Sequence, residues 1–397
     1  MIKRLLLTLL FFVFVDAHAQ QTLWGDKPIV SPEIHSDNTV TFRMRAPKAV
    51  RVQITGDFLP MQHSESAYGK YDVPGIADLK EGKEGVWEYT TPLPLLPELY
   101  NYSFIVDGLK TTDPANVYLI RDVATVFNVF IVGGARADLY KVNSVNHGTV
   151  SRRWYWSPSL KMNRRLAVYT PAGYEESNKR YPVFYLLHGM GGDEEAWLAL
   201  GRASQILDNL IAAGKAKPMI VVMTNGNVSQ EAAPGESSLG YIVPTMQLPK
   251  TMDGSMEESF PDVVNFIDAT YRTVKLKSGR AIAGLSMGGF HSLHISKQYP
   301  DMFDYVGLFS AAIMPDKQVE SSVYDNTENK LKIQFNKNPK LYWIAIGKTD
   351  FLYKANEEYR KMLNEKGFKY TYYETDEGHI WRNWRIYLTE FVPMLFH

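Results

Sequence analysis

The sequence of 397 residues contains no cysteine, and this absence excludes several kinds of chemistry. Disulfides, cysteine nucleophiles, Cys-based zinc sites and iron–sulfur clusters all need a thiol, and so does a lipid-anchored export signal. Neither sign of charge is in excess, because 43 Lys and Arg balance 43 Asp and Glu. The composition therefore favours neither a nucleic acid nor an anionic membrane as a partner, and it indicates no oligomeric state.

Long apolar runs are missing after the first twenty residues, so the sequence predicts no membrane span. Its start, MIKRLLLTLLFFVFVDAHAQ, has two basic residues, an apolar run and then Ala-His-Ala. This order is typical of a secretory signal peptide, and the apolar run is too short to cross a bilayer. We therefore expect a signal peptide over residues 1–19, cleavage after Ala19, and a secreted or periplasmic protein.

Two patterns of hydrophobicity divide the rest of the chain. Residues 20–135 contain short alternating segments such as TVTFRMRA and LYNYSFIVDG without amphipathic helices, which predicts a small all-β sandwich. Over residues 161–397, apolar strands alternate with helical segments, which predicts an α/β domain with a parallel sheet. Residues 136–160 are the predicted linker and lead-in between the two domains.

Three glycines crowd around one serine in AIAGLSMGGFH, residues 281–291. Gly284, Ser286 and Gly288 form the pattern G-x-S-x-G, with a predicted strand before it and a predicted helix after it. A nucleophilic serine of this motif sits on a strand-to-helix turn so tight that the flanking positions have no room for side chains. Ser286 is therefore the candidate nucleophile, and a merely flexible loop is the alternative interpretation.

A serine hydroxyl needs a general base, and in this architecture the chain order is Ser, acid, His. His379, in TDEGHIW, follows the last predicted strand and begins a loop, which makes it the candidate base. His291 and His294 lie on the helix behind the nucleophile, where packing or solvent is the expected surrounding. His397 is the last residue of the sequence.

The orienting acid should follow a strand that lies between the nucleophile and the base in the sequence. Asp350 comes directly after the predicted strand LYWIAIG and is the candidate acid. Asp376 and Glu377 are its rivals, but they are so close to His379 in sequence that reaching its ring would need an unusual turn.

A glycine-rich loop, LLHGMGGDEEAW, follows another predicted strand at residues 186–197. Such a loop can direct backbone N–H groups at a carbonyl oxygen without obstruction by side chains. The candidate oxyanion donors are the N–H groups of Met190 and Met287. His188 is expected to shape the loop; no second ligand stands at metal-binding spacing from it, so no metal site is predicted.

Several ordered blocks together resemble carbohydrate esterase family 1, the family of feruloyl and acetyl xylan esterases. They are YPVFYLLHGMGGDEEAW, ILDNLIAAGKAKPMIVVMTNG, RAIAGLSMGGFHSL, AIGKTDFL and EGHIWRNWR. The resemblance covers about residues 145–397. The segments NTVTFRMRAPKAVRVQITGDF and LYNYSFIVDGLKTTDPAN resemble the immunoglobulin-like sandwich related to glycogen-binding modules.

The resemblance implies an α/β-hydrolase fold and hydrolysis of ester-linked groups on xylan-type polysaccharide or feruloylated oligosaccharide, without a cofactor. It makes Ser286 the nucleophile, Asp350 the acid and His379 the base. Trp381 and Trp384 are candidates to line the acyl pocket, with core packing the alternative for Trp384. Trp87 is a candidate sugar platform of the N-terminal module, with a place in the core as the favoured alternative.

Three other functions remain open on the sequence. A siderophore esterase of the enterochelin type pairs a similar N-terminal domain with the same hydrolase fold, and a related acyltransferase acting on sugar lipids is a third enzyme hypothesis. A polysaccharide-binding protein on an inactive hydrolase scaffold is the non-enzymatic hypothesis. The acyl preference, feruloyl or acetyl, depends on loops such as 227–256 and 314–332, which no sequence pattern places.

Overall fold

A computed structural model describes residues 29–66, 69–314 and 319–397. The predicted signal peptide over residues 1–19 lies outside the described residues. An all-β region comes first in the chain, and a larger domain with a mixed sheet and helices follows it. No helix in the described part is long and apolar enough to cross a membrane.

The first region is a sandwich in which every described strand pairing is antiparallel. One sheet has the order β1–β2–β8–β7, the other has the order β11–β12–β9–β3–β6 with β10 beside β9, and β4 and β5 form a separate hairpin. The strands are β1 Glu33–Ile34, β2 Val40–Arg45, β3 Val52–Gly56, β4 Gln62–Ser66, β5 Gly69–Val73, β6 Ile76–Asp78, β7 Lys80–Glu81, β8 Val86–Thr90, β9 Glu98–Val106, β10 Leu109–Thr111, β11 Leu119–Asp122 and β12 Thr125–Val132.

Alternating apolar residues from both sheets fill the space between them. Phe42 of β2 stacks on Phe58 and meets Tyr102 of β9 edge-on, as expected for strands with one buried face. Trp87 belongs to this core, and its indole N–H donates to the Ala46 carbonyl oxygen over 3.0 Å. The structure therefore shows Trp87 as a core residue and not as an exposed platform.

The second region is an eight-stranded sheet with helices packed on both of its faces. The strand order is β13–β14–β16–β15–β17–β18–β19–β20; the strands from β16 to β20 are parallel, and β13 and β14 are antiparallel to their neighbours. The strands are β13 Thr149–Ser157, β14 Met162–Thr170, β15 Val183–Leu187, β16 Ile220–Thr224, β17 Arg280–Leu285, β18 Tyr305–Phe309, β19 Leu341–Gly347 and β20 Thr371–Thr375. The helices are α1 Ala196–Ala199, α2 Ala203–Ala212, α3 Ser255–Thr270, α4 Met287–Gln298, α5 Thr327–Asn336, α6 Tyr353–Glu365 and α7 Trp381–Phe391.

The edge strand β13 lies inside the predicted lead-in segment 136–160. It pairs with β14 along its whole length, from Thr149 opposite Thr170 to Ser157 opposite Met162. The sheet of the α/β domain therefore begins before residue 161, because the lead-in supplies its outermost strand.

The sandwich and the α/β domain share a buried contact around α7. Arg385 donates to the Glu98 carboxylate over 2.9 Å and to the carbonyl oxygens of Leu99 and Leu200 over 3.1 Å each. The side chains of Arg385 and Glu98 are 3% and 9% exposed. Burying a charge is costly unless the charge is paired and hydrogen-bonded, so this pair fixes α7 against β9.

Candidate active site

Ser286 lies between the end of β17 and the start of α4, with φ 53° and ψ −114°. A side chain in such a backbone conformation is strained and is held there by its surroundings. A Cβ atom on Gly284 would lie 2.4 Å from the Gly288 carbonyl, and one on Gly288 would lie 2.5 Å from the carbonyl oxygens of Leu187 and His188. The predicted need for glycine on both sides of the serine is met in the structure.

Asp350 and His379 form a hydrogen-bonded pair beyond the ends of β19 and β20. His379 Nδ1 lies 2.9 Å from Asp350 Oδ2, and the Leu352 N–H donates to Asp350 Oδ1 over 2.9 Å. The Asp350 side chain is fully buried, whereas that of His379 is 17% exposed. Because the carboxylate accepts from Nδ1–H, His379 Nε2 is left to accept a proton from a nucleophile.

The rival acids and histidines have other surroundings. Asp376 pairs with Lys348 on the surface, and Glu377 pairs with Arg382. His291 binds Glu257 over 2.8 Å in the interior. Burial holds the pKa of His294 well below its usual value. None of these groups forms an acid–histidine hydrogen bond beyond the ends of β19 and β20, as Asp350 and His379 do.

The parallel strands bring the three candidates to one edge of the sheet, because β17, β19 and β20 all end there. Ser286 Oγ is not within hydrogen-bond geometry of His379 in the described structure. Catalytic hydrogen bonds of this kind are often long in the free enzyme and tighten in the substrate complex. The arrangement is suited to proton transfer from a serine hydroxyl to an oriented imidazole.

The loop after β15 lies directly against the nucleophile, because a Cβ atom on Gly189 would be 3.3 Å from Ser286 Cβ. His188 holds this loop: its Nε2 accepts from the Gly226 N–H over 2.8 Å, and its Nδ1–H donates to the Gly189 carbonyl over 2.6 Å. Burial lowers the pKa of His188 to about 4, so the ring stays neutral and keeps both bonds near pH 7.

The two candidate oxyanion donors belong to the residue after Ser286 and to the adjoining loop after β15. Met287 is the first residue of α4, so its N–H has no partner within the helix. Met190 follows Gly189 in the adjoining loop, which turns back through a bond from the Gly192 N–H to the Gly189 carbonyl. Within residues 29–66, 69–314 and 319–397, no group of three or more His, Asp or Glu side chains is placed to hold a metal ion.

Comparison with known proteins assigns the chain to a family. The sequence profile of the family named Esterase matches residues 157–395, which is more than half of the chain. The chain belongs to the esterase family. The resemblance to carbohydrate esterase family 1 is thereby confirmed at the level of the family.

A protein named endo-1,4-beta-xylanase/feruloyl esterase, from Xylanibacter ruminicola, is 32% identical to this esterase over 292 residues, which are 72% of this chain and 37% of that protein. The chain spans about two fifths of the length of the first curated relatives it matches.

Solved structures agree on the fold. A CE1 ferulic acid esterase from Anaeromyces mucronatus matches with a TM-score of 0.55 at 23% identity, over 71% of this chain and 97% of its own. The enterobactin esterase from Shigella flexneri matches with a TM-score of 0.58 at 16% identity, over 89% of this chain and 92% of its own. At these identities the likeness shows the fold alone, and it confirms the predicted α/β-hydrolase class.

The two tryptophans after the candidate base His379 differ in exposure. Trp384 is buried, and its ring meets the His379 ring edge-on at 5.0 Å. For Trp384 the structure therefore shows core packing, the alternative that the sequence left open. Trp381 is partly buried between Trp197 and Trp384, and it stays a candidate to line the acyl pocket.

Phe351 is a site residue that sequence reasoning missed. The residue is 76% exposed, and the centroid of its ring lies 4.5 Å from that of the His379 ring. The signal was present, because an aromatic residue directly follows the candidate acid Asp350 in GKTDFLY. A large exposed ring beside the candidate base is a candidate to touch a bound substrate.

The sandwich reaches the candidate oxyanion loop after β15 through the turn between β11 and β12. Val123, at this turn, is so close to Gly191 that a Cβ atom on Gly191 would lie 2.6 Å from its side chain. Arg121 forms an ion pair with Asp193 of the same loop. The N-terminal domain therefore contacts the loop that carries the candidate donor Met190, which no local sequence pattern indicates.

Exchange of Asp350 for asparagine is expected to lower kcat by about 10⁴-fold, because an amide in place of the carboxylate no longer fixes the Nδ1–H tautomer of the base. The matched control is Asp376→Asn, since Asp376 lies in the same region of the site but binds Lys348 on the surface. The measurement is steady-state hydrolysis of an aryl ester by both variants. A large loss with Asp376→Asn and none with Asp350→Asn would reverse the assignment.

Proposed function

We propose that this protein is a serine esterase that releases feruloyl groups from xylan-type polysaccharide through an acyl-enzyme. The observation that carries the proposal is the buried Asp350–His379 hydrogen bond at the sheet edge where the strained Ser286 stands. The relative named endo-1,4-beta-xylanase/feruloyl esterase supports the substrate class.

The proposed reaction follows from the placement of these groups. His379 Nε2 takes the Ser286 hydroxyl proton as Ser286 Oγ attacks the ester carbonyl. The N–H groups of Met190 and Met287 hold the developing oxyanion, which is where preorganised donors contribute most. His379 then protonates the departing sugar oxygen. Water, activated in turn by His379, attacks the acyl-enzyme and releases the acid and Ser286.

Apolar side chains near the oxyanion loop support an aromatic acyl group over acetyl. Met246 Sδ lies 3.2 Å from the position that a Cβ atom on Gly191 would take. The segment before Met246 carries three more exposed large side chains, Leu239, Tyr241 and Val243. With Phe351 beside the candidate base, Met246 offers the apolar contact that a phenolic ring needs and an acetyl group does not.

The predicted signal peptide and the xylan-related relative support action outside the cytoplasm. The proposed chemistry uses protein groups and water, and it calls for no cofactor.

A siderophore ester is the second candidate, favoured by the match to the enterobactin esterase across both domains of this chain. The cleft beside the oxyanion loop has arginines, but carboxylates face them: Arg121 pairs with Asp193 and Arg152 with Glu195. A highly anionic iron chelate would meet little net positive charge there.

The test is product analysis on arabinoxylan that carries both feruloyl and acetyl groups, with the mature chain. We expect ferulate in large excess over acetate, and a higher kcat/KM for methyl ferulate than for an aryl acetate or a catecholate triserine lactone. Acetate as the main product would overturn the acyl assignment, and preference for the lactone would establish the siderophore alternative. Binding to xylan without any hydrolysis would favour the inactive scaffold.

A further inference from the structure

Two exposed tryptophans stand side by side on the edge strand β13. Trp154 is 45% exposed and Trp156 is 57% exposed, while Tyr155 between them is buried. Side chains two residues apart in a strand point to the same side and are separated by about 7 Å. In the described part of the chain these are the two tryptophans with large exposed areas, and exposed indoles placed together usually mark a binding surface.

The strand register shows which side of the sheet the tryptophans occupy. Trp154 is opposite Arg165 of β14, and Arg152 is opposite Ala167. Paired residues of neighbouring strands share a face, and Ala167 packs in the same core as Trp197 and α7. The indoles therefore project on the face that carries the N-terminal sandwich.

A cleft of about 530 Å³ opens on that face, between the sandwich and the α/β domain. Its lining joins four parts of the molecule: the β11–β12 turn, the edge strand β13 with its neighbour β14, the loop after β15 with α1, and the loop after β16. Its lining includes Val123, Arg152, Arg165, Gly192, Asp193 and Glu236. The cleft thus runs from the loop beside Ser286 to the strand that carries the tryptophans.

The tryptophans also lie at the carboxyl ends of the parallel strands, which is the end of the sheet that carries the candidate nucleophile. β14 is antiparallel to β16, and Leu166 at the start of the paired segment is opposite Thr224 at the end of β16. Trp154, opposite Arg165, therefore lies level with the ends of the parallel strands, and Trp156 lies beyond it.

The charges of the cleft favour a neutral ligand rich in hydroxyl groups. Arg165 binds Glu194 and Glu236 over 2.7 Å each, and Arg152 binds Glu195 over 2.8 Å. Ionised groups that already neutralise each other can still accept and donate hydrogen bonds to hydroxyls, but they attract no charged ligand. Flat indoles beside them fit the C–H faces of sugar rings, which are apolar while their rims are polar.

We propose that Trp154 and Trp156, together with the cleft, bind the polysaccharide main chain on the alcohol side of the ester. The inference rests on the proposed function, since it assigns the sugar part of that substrate. It predicts that the surface distinguishes a polymeric ester from a small one, because methyl ferulate has no sugar chain to reach the indoles.

The experiment compares wild type, Trp154→Ala/Trp156→Ala and Leu109→Ala in the mature chain. Leu109 is an exposed apolar residue of β10 in the sandwich and serves as the matched control. The first readout is kcat/KM for ferulate release from arabinoxylan divided by kcat/KM for methyl ferulate. We expect the double variant to lower this ratio about tenfold, as loss of ring stacking commonly does, and Leu109→Ala to leave it unchanged.

The second readout does not depend on catalysis. The same substitutions are placed in the Ser286→Ala protein, and depletion from solution by insoluble arabinoxylan is measured. Loss of binding with the double variant supports the role of Trp154 and Trp156 even if methyl ferulate proves to be no substrate. Failure of the proposed function is therefore distinguishable from failure of this inference. Conversion to Trp154→Tyr/Trp156→Tyr should restore most of the binding, because a ring remains.

Two outcomes would overturn the inference. One is an unchanged ratio and unchanged binding in a double variant whose thermal unfolding matches that of the wild type. The other is a wild-type dimer in sedimentation that the double variant breaks without any effect on xylan, since the exposed edge of β13 would then serve a second copy of the chain.

Discussion

Replacement of Ser286 by alanine is expected to lower kcat for methyl ferulate by at least about 10⁴-fold, as removal of the nucleophile does in serine hydrolases. The proposed acyl-enzyme cannot form without Oγ, so the acid product should appear only at the residual rate that the oxyanion donors support. The measurement is ferulate release under conditions where wild-type turnover is followed over many cycles.

A hydroxyl elsewhere on the same helix provides the control. Ser296 is buried on α4 and donates to the Leu293 carbonyl over 3.1 Å, so Ser296→Ala removes one helix hydroxyl remote from the turn. It should keep wild-type kcat. Substantial hydrolysis by a folded Ser286→Ala protein would mean that the turn at Ser286 has a structural role and that the nucleophile lies elsewhere.

The largest effect on stability is expected from Arg385→Ala. The change leaves the Glu98 carboxylate in a buried place without its cation, and breaking such a pair typically costs about 3 to 5 kcal/mol. The measurement is the shift of the urea unfolding midpoint of the whole chain. Activity should fall as well, because α7 begins two residues after His379 and Arg385 holds that helix in place.

The surface ion pair between Arg136 and Glu390 is a natural comparison, since it also joins α7 to the segment after β12 but both side chains are 38% exposed. Arg136→Ala should cost less than about 1 kcal/mol. A double variant, Glu98→Gln/Arg385→Gln, should lose less than the sum of its single changes, because the uncompensated charge is gone. Equal losses of stability for Arg385→Ala and Arg136→Ala would show that the buried ion pair contributes no more to stability than the exposed one.

The parallel strands and the turn at Ser286 could be predicted because their determinants are local. The segments VFYLL and IVVMT are buried along their whole length, and continuous apolar runs of this kind are typical of strands covered on both faces. Gly284 and Gly288 predict the tight turn without information from the rest of the chain. Once the strands are known, their shared direction places Asp350 and His379 at the same edge.

The edge strand β13 could not be predicted in the same way. Its sequence, TVSRRWYWS, shows no clean alternation of apolar and polar residues, because the outer side carries Arg152, Trp154 and Trp156. An edge strand has one neighbour only, so its pattern reflects exposure as much as burial. The register with β14, fixed by the short hairpin between them, decides which of its side chains face the cleft.

Contacts between domains are the other part that local patterns do not encode. Glu98 and Arg385 are 287 residues apart in sequence, and the sequence around either residue does not indicate its partner. The exposed Phe351 is intermediate: its position next to Asp350 is visible in the sequence, but its contact with His379 depends on the fold of two separate loops.

The closeness of Val123 to Gly191 bears on how freely such enzymes can be recombined. A chimera that receives a foreign sandwich would also need a β11–β12 turn of the same length and a small side chain at its tip. A bulkier turn would displace the glycine loop, and a shorter one would lose the contact with it. Grafting at this boundary is thus constrained by one valine as much as by the linker.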